Sequence, residues 1–364
     1  MRVGLVCPYS LTPPGGVQAQ VLGLARSLRA LGHDTRVLAP CDGPPPDAGV
    51  TPLGRSIPFA TNGSVAPLAP DPACARRTIR ALREERFDVL HLHEPLVPGP
   101  TLTTLMVADV PTIGTFHRAG ESLAYKALRP IARRIANRLT MRVAVSEDAR
   151  DTAFDAVGGE YAVLFNGIEI ERYAKATPTP TDGPTILFVG RHEQRKGLGV
   201  LLAALPHLPA DVRLWVAGDG PQTADLRAAT ADDRVEWLGR ISEEEKESRL
   251  RGAHVFCAPS LHGESFGVIL LEAMAAGTAI VASDLPGYRK VARGDDDAGG
   301  NGEALLVAPG DSSALAAALG RALDEASLAA RLAAAGETRA GSFSMDALAE
   351  RYVRLYAEAV GARQ

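Results

Sequence analysis

The chain has 364 residues, 46% of them hydrophobic, and a formal net charge of −4. That length suits two domains, each large enough to bury its own core, and the near-neutral balance excludes a bulk nucleic-acid binder, which needs a net basic domain. The apolar N-terminal stretch stops at Pro8, too short for a signal peptide, and no transmembrane-length apolar run occurs. Cys7, Cys41, Cys74 and Cys257 share no Cys-x-x-Cys pair and no zinc spacing, so they read as buried thiols of a reducing compartment.

Short apolar segments alternate with amphipathic ones along the whole chain. Strands are predicted over residues 3–7, 35–39, 88–92, 112–116 and 143–145, with a helix over 17–31 following the first. Residues 174–184 hold three prolines and read as a linker. A second series of strands follows at 185–190, 212–217, 235–238, 255–258 and 279–282. The Gly/Asp-rich residues 293–302 read as a surface loop, and 345–360 as a closing helix with apolar residues at helical spacing. The expected class is therefore α/β, as two doubly wound parallel-sheet domains covering about 1–170 and 182–344. Ligands are expected outside the carboxyl ends of the strands.

The segment from His262 to Gly277 places Glu264 and Glu272 eight positions apart around the start of an apolar helix. An unpaired buried carboxylate costs several kcal/mol, so an apolar run keeps one only for a reason. Between the two acids, Phe266, Gly267 and Val268 bring the backbone N–H groups of a helix start, which suit an anionic phosphate. A diphosphate flanked by hydroxyl-binding carboxylates describes a nucleotide-sugar. The alternative is a helix cap at Glu264 and an arginine partner for Glu272.

After the strand at 185–190, Arg191 and Lys196 bracket a loop that precedes a helix. Two cations at a strand end can neutralise a diphosphate and stabilise charge on a departing nucleotide; solvent-facing loop charges are the alternative. Gly218 opens another strand-end turn. The segment Gly239-Arg240-Ile241-Ser242-Glu243-Glu244-Glu245-Lys246 offers a carboxylate for guanine N–H groups, or simply a serine-capped acidic first turn. Paired Gly15-Gly16 at the first strand-to-helix turn allow close approach of a phosphate or sugar, and the absence of Gly-x-Gly-x-x-Gly disfavours a nicotinamide site. His117 ends the strand 112–116, where it can face a ligand or serve structure alone. His91, His93 and Glu94 make too weak a constellation for a metal site. Arg76, Arg77, Arg80 and Arg83 form one basic run, and residues 118–142 carry seven basic residues against Glu121 alone. Two such runs suit anionic lipid headgroups; solvated helix faces are the alternative.

With these residues in view, the chain resembles the retaining glycosyltransferases of the GT-B fold, family 4 type. Within them it is most similar to the actinobacterial phosphatidylinositol mannosyltransferases. The resemblance is carried by Pro14-Gly15-Gly16-Val17, Phe59 to Ala66, His91 to Pro95, Thr115-Phe116-His117, Asn166-Gly167, Gly190-Arg191, Arg195-Lys196-Gly197 and Gly263 to Glu272. It implies two Rossmann-like domains facing across a deep cleft, with the helix at 345–364 packing back on the first. It also implies transfer of mannose from GDP-mannose to phosphatidylinositol or a related lipid, with no tightly bound cofactor and Mg2+ at most a stimulant. Donor contacts are implied at Gly16, Arg191, Lys196, Gly218, Ile241, Glu243, Lys246, Glu264, Phe266, Gly267, Val268 and Glu272, and acceptor contacts at Tyr9, Asn62 and Arg118. His117, Arg191, Lys196 and Glu264 are the implied catalytic set. Pro67 and Arg118-Ala119-Gly120 depart from the family pattern, and Arg118 is assigned the charge that meets the acceptor phosphate. The enzyme would be cytoplasmic and peripheral to the inner membrane face, docked by Arg76, Arg77, Arg80, Arg129, Arg133 and Arg134. Competing readings are a UDP-sugar enzyme acting on a soluble acceptor such as inositol phosphate, a nucleotide-sugar epimerase, and a non-catalytic nucleotide-sugar binder; oligomeric state is left open.

Overall fold

The computed structural model describes residues 1–13, 15–61, 64–118, 129–264, 266–293 and 302–362, with backbone alone at 60, 61, 64 and 65. It divides into two compact units, Met1–Gly167 with Met345–Gln364, and Ile168–Ser344.

In the first unit the strands are β1 (Arg2–Val6), β2 (Asp34–Ala39), β3 (Val50–Pro52), β4 (Ile57–Thr61), β5 (Ser64–Leu68), β6 (Val89–His93), β7 (Thr112–Phe116), β8 (Met141–Ala144) and β9 (Ala162–Val163). Among the described residues its main sheet runs β3-β2-β1-β6-β7-β8-β9, every pair parallel. Alternate residues along each strand feed opposite faces, as the period of two requires. Val3, Leu5, Val37, Val89 and Ile113 pack with the helices Gly16–Ala30 and Met345–Gly361. Val6, Leu38, Leu90, Leu92 and Phe116 form the other core. The closing helix buries Leu348, Ala349, Tyr352, Tyr356 and Ala359, a stripe at three- and four-residue spacing.

The second unit holds β10 (Thr185–Val189), β11 (Arg213–Ala217), β12 (Val235–Gly239), β13 (Val255–Ala258), β14 (Ala279–Ser283) and β15 (Leu305–Val307), in the order β12-β11-β10-β13-β14-β15, again parallel. Leu187, Phe256 and Ile280 face one core, and Ile186, Leu214 and Val281 face the other. In both units the strand order reverses once, between β1 and β6 and between β10 and β13. Those switch points open crevices at the carboxyl ends of the strands, where ligands bind in such sheets.

The predicted strands recur within one or two residues. The antiparallel hairpin β4–β5 was not foreseen. Pro58 and Pro67 sit opposite each other in it, and proline disguises a strand because it cannot donate to the ladder; the Asn62-Gly63 dipeptide was the usable signal. Short β3, β9 and β15 were also missed. Of the loop predicted over 293–302, residues 294–301 lie outside the described residues. All four cysteines are buried free thiols, and burial pushes Cys7 up to about 12 and Cys74 to about 11.

Candidate active site

The loop after β10 turns through a single 3-10 turn, Gln194–Lys196, before the helix Leu198–Ala204. This turn brings Lys196 to the segment that follows β13: its Nζ lies 2.6 Å from Glu264 Oε1. Ser260 donates to the same oxygen at 3.1 Å, and Arg195 Nη1 stands 3.5 Å away. The Glu264 side chain is 11% exposed. It does not cap the helix Val268–Ala275, whose N-cap is Gly267 with no side-chain bond. Gly267 has φ +86, and a Cβ there would stand 2.9 Å from the Tyr288 ring, so both backbone form and space demand glycine. Arg191 is fixed from the same loop: its Nε lies 2.8 Å from Glu193 Oε1, while Glu193 Oε2 accepts from Arg195 Nε at 2.9 Å. Gly218, φ +124, follows β11 so closely that a Cβ would fall 1.9 Å from the Gly190 carbonyl oxygen.

A second cluster lies around β12 and the helix Glu243–Gly252. Ser242 caps that helix by accepting the Glu245 N–H at 3.1 Å, so the capped acidic turn is real. Glu243 nevertheless reaches Lys246, Nζ to Oε2 2.9 Å, and Lys246 donates to Glu272 at 3.0 Å. The partner of Glu272 is thus a lysine. Burial of the ammonium opposes its charge, but Glu272 and Glu243 outweigh it and Lys246 is raised above the ordinary lysine value. Tyr173 packs its ring 6.0 Å from the ammonium; burial, then the charges of Glu272 and Glu243, push its phenol up. Ile241 is half-buried beside this cluster in sequence, and Phe266 is core, edge-on to Phe343 at 5.6 Å. Phe266 therefore has only backbone to offer a ligand, while Val268, at the first helical position, is half-buried.

In the first unit, Gly16 begins the helix Gly16–Ala30 behind an extended Gly15. Tyr9 is half-buried and bridges Leu68 of the hairpin through its backbone. His117 follows β7, and its N–H donates to Glu94 Oε1 at 2.7 Å. Glu94 is 4% exposed and adopts φ +53, a backbone form that costs a non-glycine residue about 1 kcal/mol or more. Burial raises its carboxyl despite the bonds from the His117 and Arg118 backbone. Arg118 and Glu94 line one small cavity with Phe116 and Thr152. Asn62 lies outside the described residues.

The structure therefore brings together Arg191, Lys196 and Glu264 in one cluster and Glu243, Lys246 and Glu272 in another. The sequence reading weighed His93 and Glu94 only as a weak metal constellation, and it missed Glu193, Ser260 and Tyr173. Glu193 had a usable signal, an acid between two arginines of one loop, and Ser260 lies four residues before Glu264; Tyr173 meets the second cluster through folding alone. Of the basic runs, Arg76, Arg80, Arg129, Arg133 and Arg134 are exposed, with Ile131 60% exposed among the last three. Arg77 donates to Leu53 O, Arg138 to Leu105 O and Arg142 to Gly158 O, so part of the charge serves backbone carbonyls. Among the described residues no helix is long and apolar enough to cross a membrane, and no group of three or more His, Cys, Asp or Glu is placed to hold a metal ion.

Residues 14–172 match the family described as Glycosyltransferase Family 4, and residues 183–325 that described as Glycosyl transferases group 1. The phosphatidyl-myo-inositol mannosyltransferase of Mycolicibacterium smegmatis is 40% identical over 374 residues, covering 100% of this chain and 95% of its own. The protein of the same name from Propionibacterium freudenreichii is 37% identical, covering 89% and 87%. Among solved structures, Anabaena Alr3699/HepE in complex with UDP-glucose superposes with a TM-score of 0.75 at 19% identity, covering 98% of this chain and all of that one (100%). Sucrose-phosphate synthase from Thermosynechococcus elongatus gives 0.73 at 20%, covering 99% of each.

Proposed function

The chain belongs to the family 4 glycosyltransferases that include the phosphatidyl-myo-inositol mannosyltransferases, has their GT-B fold, and from that premise we propose that it transfers mannose from GDP-mannose to phosphatidylinositol with retention of configuration. The observation that carries the reading is the whole-length identity of 40% to an enzyme of that name. The cation–carboxylate clusters at the strand ends of the second unit support it. Arg191 and Lys196 neutralise the diphosphate, assisted by the backbone at Gly267 and Val268. Glu264 holds the hexose, Glu272 the ribose diol, and Ile241, Glu243 and Lys246 frame guanine, with Gly16 and Gly218 leaving room for the phosphate. Tyr9, Asn62 and Arg118 receive the inositol phosphate headgroup, and His117 stands at the reacting centre.

Chemically, the bond from the anomeric carbon to the β-phosphate oxygen breaks as the acceptor hydroxyl oxygen bonds to the same face. The state between is oxocarbenium-like, and the departing phosphate takes the hydroxyl proton. Stabilising the charge on that phosphate is worth ~3–4 kcal/mol per well-placed donor. No step needs a metal; Mg2+ acts at most as a stimulant. The protein works at the inner membrane face, where Arg76, Arg77, Arg80, Arg129, Arg133 and Arg134 meet anionic lipid. The test is transfer of label from GDP-mannose into the organic phase, with phosphatidylinositol vesicles, UDP-sugars alongside and inositol phosphate as a soluble acceptor. Lipid-linked label from GDP-mannose alone supports the reading. Label on inositol phosphate alone, or use of a UDP-sugar alone, overturns the acceptor or the base assignment.

A further inference from the structure

The reading that puts His117 at the reacting centre leaves open what its imidazole presents to the acceptor, and the inference here rests on that reading. His117 Nε2 lies 2.9 Å from His93 Nδ1, with the rings stacked at 5.1 Å. His93 is 2% exposed and stacks in turn on His91 at 4.3 Å. Burial lowers all three imidazoles, His91 to about 3, His117 to about 4 and His93 well below its ordinary value, so each is neutral near pH 7. A neutral imidazole carries one N–H, so of the two facing nitrogens only one holds a proton. When His93 Nδ1 donates, His117 carries its own proton on Nδ1 and presents a donor. When His117 Nε2 donates, its Nδ1 is a lone pair and presents an acceptor.

His91 cannot decide between these states, because its nitrogens are taken by Tyr356 OH at 2.8 Å and Thr115 Oγ1 at 2.7 Å. The deciding atom is His93 Nε2. It is buried without a hydrogen-bond partner among the described residues, and His93 lines a small cavity with His117, Asn166, Leu164, Leu348 and Tyr352. A buried N–H left without an acceptor is rarer than an acceptor left without a donor, which places the lone pair on Nε2 and the proton on Nδ1. We propose that His93 is a positioning residue that donates to His117 Nε2, fixes the Nδ1–H tautomer of His117, and so makes His117 a hydrogen-bond donor to the acceptor hydroxyl oxygen. In that state His117 has no free lone pair for the nucleophile's proton, which accords with a departing phosphate that takes it.

The test is long-range 1H–15N correlation on the full chain labelled with 15N-histidine, with transfer kinetics on the same samples. The wild-type enzyme should show His117 protonated on Nδ1, against the Nε2–H preference of a free histidine side chain. His93→Asn, whose amide keeps a donor near the Nδ1 position, should hold that tautomer and most of the turnover. His93→Leu should shift His117 towards Nε2–H and lower kcat about tenfold or more, with GDP-mannose affinity unchanged. An Nε2–H tautomer in the wild type, or an unchanged tautomer in His93→Leu, overturns the proposal; the wild-type spectrum decides even if the leucine variant does not fold. His117→Ala with near-normal turnover would instead remove His117 from the reacting centre, leaving the tautomer measurement untouched.

Discussion

Replacing Lys246 by methionine removes the ammonium that joins Glu272 to Glu243 while leaving the volume of the side chain nearly intact. Nζ stands 2.9–3.0 Å from both carboxylates, and the Lys246 and Glu272 side chains are 12% and 10% exposed. Coulomb's law at about 3 Å with an effective dielectric near 20 gives roughly 5 kcal/mol for one such pair before desolvation. Breaking a buried pair by removing one partner costs about 3–5 kcal/mol, because the other charge is left uncompensated. Lys246→Met strands Glu272 and belongs in that range. Glu272→Gln leaves Lys246 its contact with Glu243, whose side chain is 45% exposed, so about 1–3 kcal/mol is expected. The double variant Lys246→Met, Glu272→Gln removes both charges and should recover at least 2 kcal/mol relative to the sum of the two single variants. The chain has two tryptophans, Trp215 and Trp237, and both lie in the second unit. Urea unfolding followed by tryptophan fluorescence therefore reads this unit. The raised pKa of Lys246 means its contribution is fully present below the unfolded value near 10.4 and is lost only as pH rises through the folded one, so the cycle should be flat from about pH 6 to 9. A loss below about 1 kcal/mol for Lys246→Met, or strict additivity of the pair, refutes the reasoning.

Lys196→Ala should lower kcat by about two to three decades, the equivalent of ~3–4 kcal/mol of transition-state stabilisation, in a steady-state transfer assay; near-normal turnover removes Lys196 from catalysis. Tyr356→Phe strips the hydroxyl from His91 Nδ1 in a fully buried site and should destabilise the first unit by about 1–3 kcal/mol, read by hydrogen exchange of β6 amides. Burial lowers His91 to about 3 and His117 to about 4, so the unfolded chain takes up protons that the folded one refuses. That burial costs nothing above about pH 6.5, then up to about 1.4 kcal/mol per imidazole for each unit of falling pH until the folded value is reached; first-unit opening free energies, corrected for the intrinsic pH dependence of amide exchange, that stay flat between pH 6.5 and 4.5 would contradict it. Reversing Arg129, Arg133 and Arg134 to glutamate should weaken binding to anionic vesicles by about tenfold or more and flatten its salt dependence, measured by cosedimentation; unchanged binding would remove this helix from the membrane contact.

Both parallel sheets were legible because each strand is a short apolar run bounded by turn residues, and that pattern is local. The start of the helix at Val268 was legible for the same reason, with Gly267 marking the one backbone form that a side chain excludes. The carboxylates Glu264 and Glu272 announced themselves by being acids beside or inside an apolar run. What they touch was not legible. Glu264 meets Lys196 and Glu272 meets Lys246, across gaps in sequence that only the strand order closes. The hairpin of β4 and β5 escaped because its prolines contradict strand propensity while the antiparallel pairing overrides it.

The amino-acid sequence by itself determined the α/β class, the two series of strands, and the residue types gathered at the strand ends, because periodicity and turn chemistry act over a few neighbouring residues. Tertiary structure alone decided the partners. Glu193 is locked between two arginines, Glu94, itself in a left-handed conformation, accepts the His117 N–H, and His93 lies beside His117 and lines a small cavity with it. The state of a buried charge or imidazole depends on which groups lie within a few ångströms. Chain reversal at the switch points of each sheet sets those distances, and no local pattern records them.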